Sequence, residues 1–190
     1  MDSGSSHKSI TFVLSGPGGV GKGTVVAELL AVVDQMWLSR SWTTRDRRPG
    51  EAPDAYNFVD RATFQAHIEQ DGFLEWVEFL DYLQGTPVPA PPAGNDVLLE
   101  IDVQGAAQIK AIDETAVLLF LDAPSVAEQE QRLRARGDSE ERIAQRLATA
   151  VQERSAAQKL GFTIIINDDL DSTVAELAHV IEAHRRSHSQ

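Results

Sequence analysis

The chain contains no cysteine. Disulfides and thiolate metal sites are therefore excluded, which suits a reducing cytosol. Basic residues are scarce, with 17 Lys and Arg against 29 Asp and Glu and a net charge of −12. That balance argues against general nucleic-acid binding, which wants a basic surface. An acidic chain that binds a polyanion must gather its few arginines locally. Long apolar runs are also missing, and none approaches the roughly 20 residues of a membrane span. These absences predict a cytoplasmic protein with neither nucleic acid nor membrane as partner. What remains is ordinary for one globular domain: 190 residues, 42% hydrophobic and 24% charged, enough for a sizeable core. The small, polar start of the chain, residues 1–9, is expected to be a flexible leader and not a signal peptide.

The most informative stretch is Gly16-Pro17-Gly18-Gly19-Val20-Gly21-Lys22-Gly23-Thr24. The apolar run Ile10 to Leu14 precedes it, and Val25, Val26, Leu29, Leu30 and Val33 follow at helical spacing. A glycine-rich turn between a buried strand and an amphipathic helix is the context of a phosphate-binding loop. Small residues let successive N–H groups curl round an anion, the helix N-terminus adds partial positive charge, and Lys22 adds a full one. Gly23 occupies the place where Ser or Thr normally holds magnesium, and the hydroxyl comes one residue later, at Thr24.

Apolar runs at Phe12–Leu14, Val97–Ile101, Val117–Leu121 and Phe162–Ile166 read as buried parallel strands. Helical patterns fall between them. Ser125 with Glu128, Asp138 with Glu141 and Thr173 with Glu176 have capping-box spacing, the second opening a helix to about Leu160. The fold class is α/β: a parallel sheet with helices on both faces, binding ligand at the carboxyl ends of its strands. The proline-rich stretch from Thr86 to Gly94 excludes helix and central strand and reads as a loop.

Between residues 37 and 82 the pattern changes. Trp37 to Trp42 suggests a strand, Ala62 to Gln70 a short helix, and Phe73 to Phe79 a strand with one wet face. This reads as a small subdomain suited to a second substrate. It carries Arg45, Arg47 and Arg48 ahead of a Pro49-Gly50 turn, and guanidinium forks match phosphate oxygens.

These motifs together resemble guanylate kinases over nearly the whole chain. The resemblance rests on residues 15–22, Thr43-Thr44-Arg45 with Arg48, Gly50 and Glu51, Tyr56 to Val59, Phe73 to Trp76, Gly85-Thr86, and Leu99 to Gly105. Further on it includes Ala123 to Ser125, Arg132, Leu133, Arg136, Gly137, Arg146, Leu147, and Ile166 to Asp169. It implies a P-loop core (residues 10–36, 97–127 and 154–190), an inserted GMP-binding subdomain (37–96) and a mobile helical lid (128–153). The implied activity moves the terminal phosphoryl group of ATP to GMP, with Mg2+.

By resemblance, residues 16–24 and Asn167 bind ATP, while Ser41, Arg45, Arg48, Tyr56, Glu75, Thr86 and Asp102 bind GMP. Catalysis falls to Lys22, Arg45, Arg136 and Arg146, with Arg132 a lesser member. Glu51 orients an arginine, and Thr24 and Asp102 lie near magnesium without an assigned ligand role. A carboxylate such as Glu75 accepts from guanine N1–H and the 2-amino group together, whereas adenine N1 is an acceptor. Read from residues alone, Glu75 is an exposed strand residue, and a helix cap is the alternative for Asp102. His7, His67, His179, His184 and His188 are given no role.

Three features depart from the family pattern. Gly23-Thr24 has the adenylate-kinase form, Gln84 replaces a phosphate-binding tyrosine with Tyr82 two residues upstream, and the segment after Thr86 lacks a helix. Tyr82 is expected to be idle, a local register shift being the alternative. Another nucleoside-monophosphate kinase and a non-enzymatic interaction module stay open. Glu75 and the arginine cluster oppose the first, and the complete loop with Lys22 opposes the second.

Overall fold

Alternation of apolar strand and amphipathic helix dominates the computed structural model. It describes residues 9–188 except Pro49, Leu80 and the side chain of Phe79. Most of the expected leader and the proline of the expected turn therefore lie outside the described residues. In chain order the elements are β1 (Thr11–Ser15), α1 (Lys22–Val32), β2 (Met36–Ser39), β3 (Trp42–Thr43), β4 (Asn57–Phe58), α2 (Arg61–Glu69), β5 (Phe73–Phe79) and β6 (Tyr82–Pro87). They continue with β7 (Asp96–Glu100), α3 (Val103–Ile112), β8 (Val117–Asp122), α4 (Val126–Ala135), α5 (Glu140–Leu160), β9 (Thr163–Ile166) and α6 (Leu170–His188).

Five strands form a parallel sheet in the order β2-β7-β1-β8-β9. Side chains alternate across β1, and both faces are covered. Phe12 and Leu14 pack with Val25 and Leu29 of α1 and Leu177 and Ile181 of α6. Val13 packs on the opposite side with Ala106 and Ile109 of α3 and Ala157 of α5. The two cores lock β1 in register, which fixes where the loop after Ser15 leaves the sheet. β9 is less buried than its apolar sequence suggests: as the edge strand it leaves Ile164 and Ile166 exposed.

The second sheet has the order β4-β3-β6-β5. Its apolar side rests on rings: Phe64 stacks on Phe73 at 4.4 Å, and Trp42 stacks on His67 at 4.3 Å. The expected single strand from Trp37 to Trp42 is two strands in different sheets. β2 belongs to the core sheet and β3 to the small one, so the chain leaves the core after Ser39 and not before Trp37.

Two expected helix starts move. Ser139, not Asp138, caps α5, its hydroxyl accepting from Arg142 N. The last helix begins at Leu170, where Asp169 accepts from Ser172 N, and Thr173 lies buried inside it. Ser125 accepts from Glu128 N at the head of α4, as its spacing predicts. Residues 128–153 lie within two helices, α4 starting at Val126 and α5 running on to Leu160.

Candidate active site

The turn after β1 wraps at the carboxyl end of the sheet. A Cβ on Gly16 would meet the Leu121 carbonyl oxygen at 2.2 Å, so only glycine fits there. Gly21 caps α1 with φ 93°, a left-handed conformation that glycine adopts without strain. Three of the loop's carbonyls are held on its outer side or in the first turn of α1. Val20 O accepts from Asn167 Nδ2 at 2.7 Å, Gly18 O from Gln129 Nε2 at 2.8 Å, and Gly21 O from Val25 N at 3.0 Å. With the carbonyls of Gly18, Val20 and Gly21 so committed, the loop can present N–H groups to an anion.

Lys22 opens α1, and its Nζ donates to Gly16 O at 2.5 Å and Pro17 O at 3.3 Å. Burial pulls its pKa below the usual lysine value, while Glu100, Glu153 and Asp102 oppose that pull and Arg146 adds to it. Burial also pushes Glu100 and Glu153 up, with Lys22 opposing in both cases. The ammonium thus sits desolvated on two carbonyls and facing carboxylates, ready to exchange them for a polyphosphate.

Four arginines converge opposite this loop. Arg45 is clamped by Glu51, Nη1 to Oε2 at 2.8 Å and Nη2 to Oε1 at 2.6 Å, and Glu51 also accepts from Arg48 N at 3.0 Å. Glu51 therefore orients Arg45, as expected. The guanidinium lies 5.1 Å from the Tyr56 ring. Burial pushes the Tyr56 phenol up to about 12. Burial and then the charges of Arg45 and Arg136 lower Arg48. Burial, with Arg136 and Arg48 among the neighbours, lowers Arg146. Arg136 and Arg146 bracket one carboxylate: Arg136 donates to Asp138 Oδ2, and Arg146 Nε lies 3.8 Å from the same oxygen. In so acidic a chain, mutually repelling guanidiniums mark a place for an anion.

Glu75 completes the site. On β5 it faces Thr86 of β6, and the acidic side chain points inward while Trp76 is the exposed one. The exposed reading of Glu75 is thereby set aside: it is 7% exposed and accepts from Thr86 Oγ1 at 2.5 Å. Burial raises its pKa, the Thr86 hydrogen bond opposes, and Asp102 adds to the rise. Gly105 leaves room for it, since a Cβ there would stand 3.1 Å from the Glu75 carboxyl carbon. Ser41 is buried in the link between β2 and β3.

The guanylate kinase family model matches residues 8–184. The chain belongs to the guanylate kinase family. A guanylate kinase of Thermus thermophilus is 46% identical over 181 residues, covering 92% of this chain and 81% of that protein. One of Desulfitobacterium hafniense is 42% identical over 185 residues, covering 94% and 92%. The crystal structure of guanylate kinase from Anaplasma phagocytophilum superposes with a TM-score of 0.74 at 28% identity, covering 94% of this chain and 87% of that one.

Some residues that resemblance to guanylate kinases singles out have local partners. Asp102 caps α3, its Oδ1 accepting from Gly105 N at 2.8 Å. Asn167 donates to the loop and accepts from Thr173 Oγ1 at 3.1 Å, so both ends of its amide are engaged. Arg132 donates to Glu128 at 3.0 Å and to Asn167 O at 3.0 Å, which ties it to the loop's surroundings. Thr24 is exposed on the first turn of α1, and Gly23 faces open space. Gln129, Asp122 and Arg154 join the site's support without having been expected. The only signal was Gln129 itself, a polar side chain four residues before Leu133 on the face that α4 buries.

Proposed function

We propose that the protein is an ATP:GMP phosphotransferase acting in the cytoplasm, with a base-reading pocket at Glu75 and a phosphate cradle between the loop and four arginines. The observation that carries the reading is the buried Glu75–Thr86 pair on the same side of the small sheet as the arginine cluster. Glu75 accepts from guanine N1–H and the 2-amino group, with Thr86 and Ser41 beside the base. Arg45, Arg48 and Tyr56 hold the GMP phosphate. The loop N–H groups and Lys22 hold the ATP phosphates, and Asn167 acts on ATP through the loop it braces.

No general base is required. An anionic oxygen of the GMP phosphate attacks the γ-phosphorus, the bond to the β-phosphate oxygen breaks, and that oxygen leaves with the electron pair on ADP. Charge neutralisation and alignment supply the rate. Arg136 and Arg146, on the lid formed by α4 and α5, neutralise the transferring group, and lid closure excludes water. Among the described residues no group of three or more His, Asp or Glu could hold a metal by itself. The exposed Thr24 hydroxyl and the Asp102 carboxylate are hard oxygen donors that suit a magnesium ion carried on the nucleotide. When bound, that ion neutralises phosphate charge.

The test is a coupled assay with ATP and each common nucleoside monophosphate in turn. GMP should be used far better than AMP, CMP or UMP. Preference for AMP, or no turnover of GMP, would overturn the reading.

A further inference from the structure

Three side chains without a role in the scheme above form one hydrogen-bonded line into the phosphate loop. Asp122 ends β8 and receives Arg154 of α5 on both oxygens, Nε at 2.7 Å and Nη2 at 2.8 Å. The same Nη2 donates to Gln129 Oε1 of α4 at 2.8 Å, and Gln129 Nε2 donates to Gly18 O at 2.8 Å. Gln129 is 0% exposed. A guanidinium only donates and a carbonyl only accepts, so these neighbours fix which way the amide lies.

The consequence lies in the peptide after Gly18. The described residues contain no cis peptide bond. In a trans peptide the C=O and the following N–H point in opposite directions. The bond that turns the Gly18 carbonyl toward α4 therefore turns the Gly19 N–H the other way, into the loop. Arg146 lies against the same residue, its Nη1 2.5 Å from where a Gly18 Cβ would stand. One line thus connects the end of β8, both helices of the arginine-bearing segment and one loop amide.

We infer that Gln129 is a positioning residue for the nucleoside triphosphate: its amide, braced by the Arg154–Asp122 ion pair, aims the Gly19 N–H at the polyphosphate and ties α4 and α5 to the loop. This rests on the kinase reading above. Gln129→Met removes both bonds at similar volume. Gln129→Glu keeps an acceptor for Arg154 but replaces the donor to Gly18 with an anionic oxygen, whereas Gln129→Met adds no charge.

The experiment is calorimetric titration of ATP and of GMP separately into the unaltered protein and both variants, followed by steady-state kinetics. ATP affinity should fall about tenfold in each variant, the range of a lost buried hydrogen bond. GMP affinity should stay within about twofold, since its groups sit on the other sheet, and KM for ATP should rise in parallel. Unchanged ATP affinity in a folded variant, or equal loss for both ligands, would overturn the inference. If Gln129→Met does not fold, Gln129→Glu decides alone, because it retains the Arg154 contact. An unaltered protein that binds ATP but does not phosphorylate GMP would sink the kinase reading and leave the ATP titration able to judge the Gln129 role.

Discussion

The Thr86 hydroxyl donates to Glu75 Oε1 at 2.5 Å inside a pocket that leaves the carboxylate 7% exposed. One oxygen is thus held by the protein, and burial raises the pKa against that bond. A buried carboxylate kept for ligand recognition is costly to the fold. Because the folded pKa lies above the unfolded one, protonation favours folding, and the penalty of the charged form grows as pH rises from the unfolded value of about 4.3 through the raised one. Glu75→Gln should therefore raise Tm at neutral pH, with the gain vanishing in acid. The same variant should lose about tenfold or more in kcat/KM for GMP, as one guanine donor is left unpaired, at about 1–3 kcal/mol. It should also discriminate less against AMP. Melting curves across pH and the two kinetic ratios check this. A lower Tm at neutral pH would contradict the burial argument.

Lys22 donates to two loop carbonyls and is half-buried. Lys22→Met removes a charge made useful only when phosphate arrives. The fold should persist, with Tm unchanged or higher because a desolvated ammonium is gone. Turnover should drop by about 10²-fold or more, the scale seen when a preorganised charge contact is removed. Circular dichroism and single-turnover kinetics measure both, and near-normal turnover in a folded variant would remove Lys22 from the mechanism.

Gly105 stands in the first turn of α3, with Glu75 at its Cα. Gly105→Ala favours the helix by roughly 0.5–1 kcal/mol but pushes the Glu75 carboxyl by a few tenths of an ångström. GMP affinity should fall severalfold while ATP affinity is unchanged. Equal affinity for GMP before and after would show that the pocket has slack.

The parts of this fold that were legible in the sequence are those governed by local pattern. Residues 12–14 and 117–121 are apolar on both faces because helices cover both, and the loop from Gly16 to Lys22 is dictated by its glycines and one lysine. What depended on distant partners was harder to see. The stretch from Trp37 to Trp42 does not reveal that Ser39 pairs with Leu99 while Trp42 pairs with Gly85. The inward turn of Glu75 is eased by Gly105, thirty residues on, whose missing side chain leaves the carboxyl its room. Gln129 reads as an ordinary surface helix residue until Arg154 and Gly18 are placed beside it.

Tyr82 sets the last test. It starts β6, and Tyr82, Gln84 and Thr86 share the face on which Glu75 lies, because directly opposed residues of an antiparallel pair point the same way. The sequence favours an idle Tyr82, with Gln84 standing where a phosphate-binding tyrosine is expected. The Tyr82 phenol is also among the neighbours that raise the pKa of Arg45 and oppose the lowering of Arg48. In the same cluster, Tyr56 lies against Arg45. A phenol there can donate to a phosphate oxygen, and such a bond to a charged acceptor contributes about 1.5–3 kcal/mol, part of which water would recover on deletion. Tyr82→Phe should accordingly raise KM for GMP severalfold and leave KM for ATP unchanged. Gln84→Tyr should give no gain, since the place is already filled and a second ring would crowd it. Tighter GMP binding in Gln84→Tyr together with a silent Tyr82→Phe would return the phosphate-binding position to residue 84 and leave Tyr82 without a role in binding.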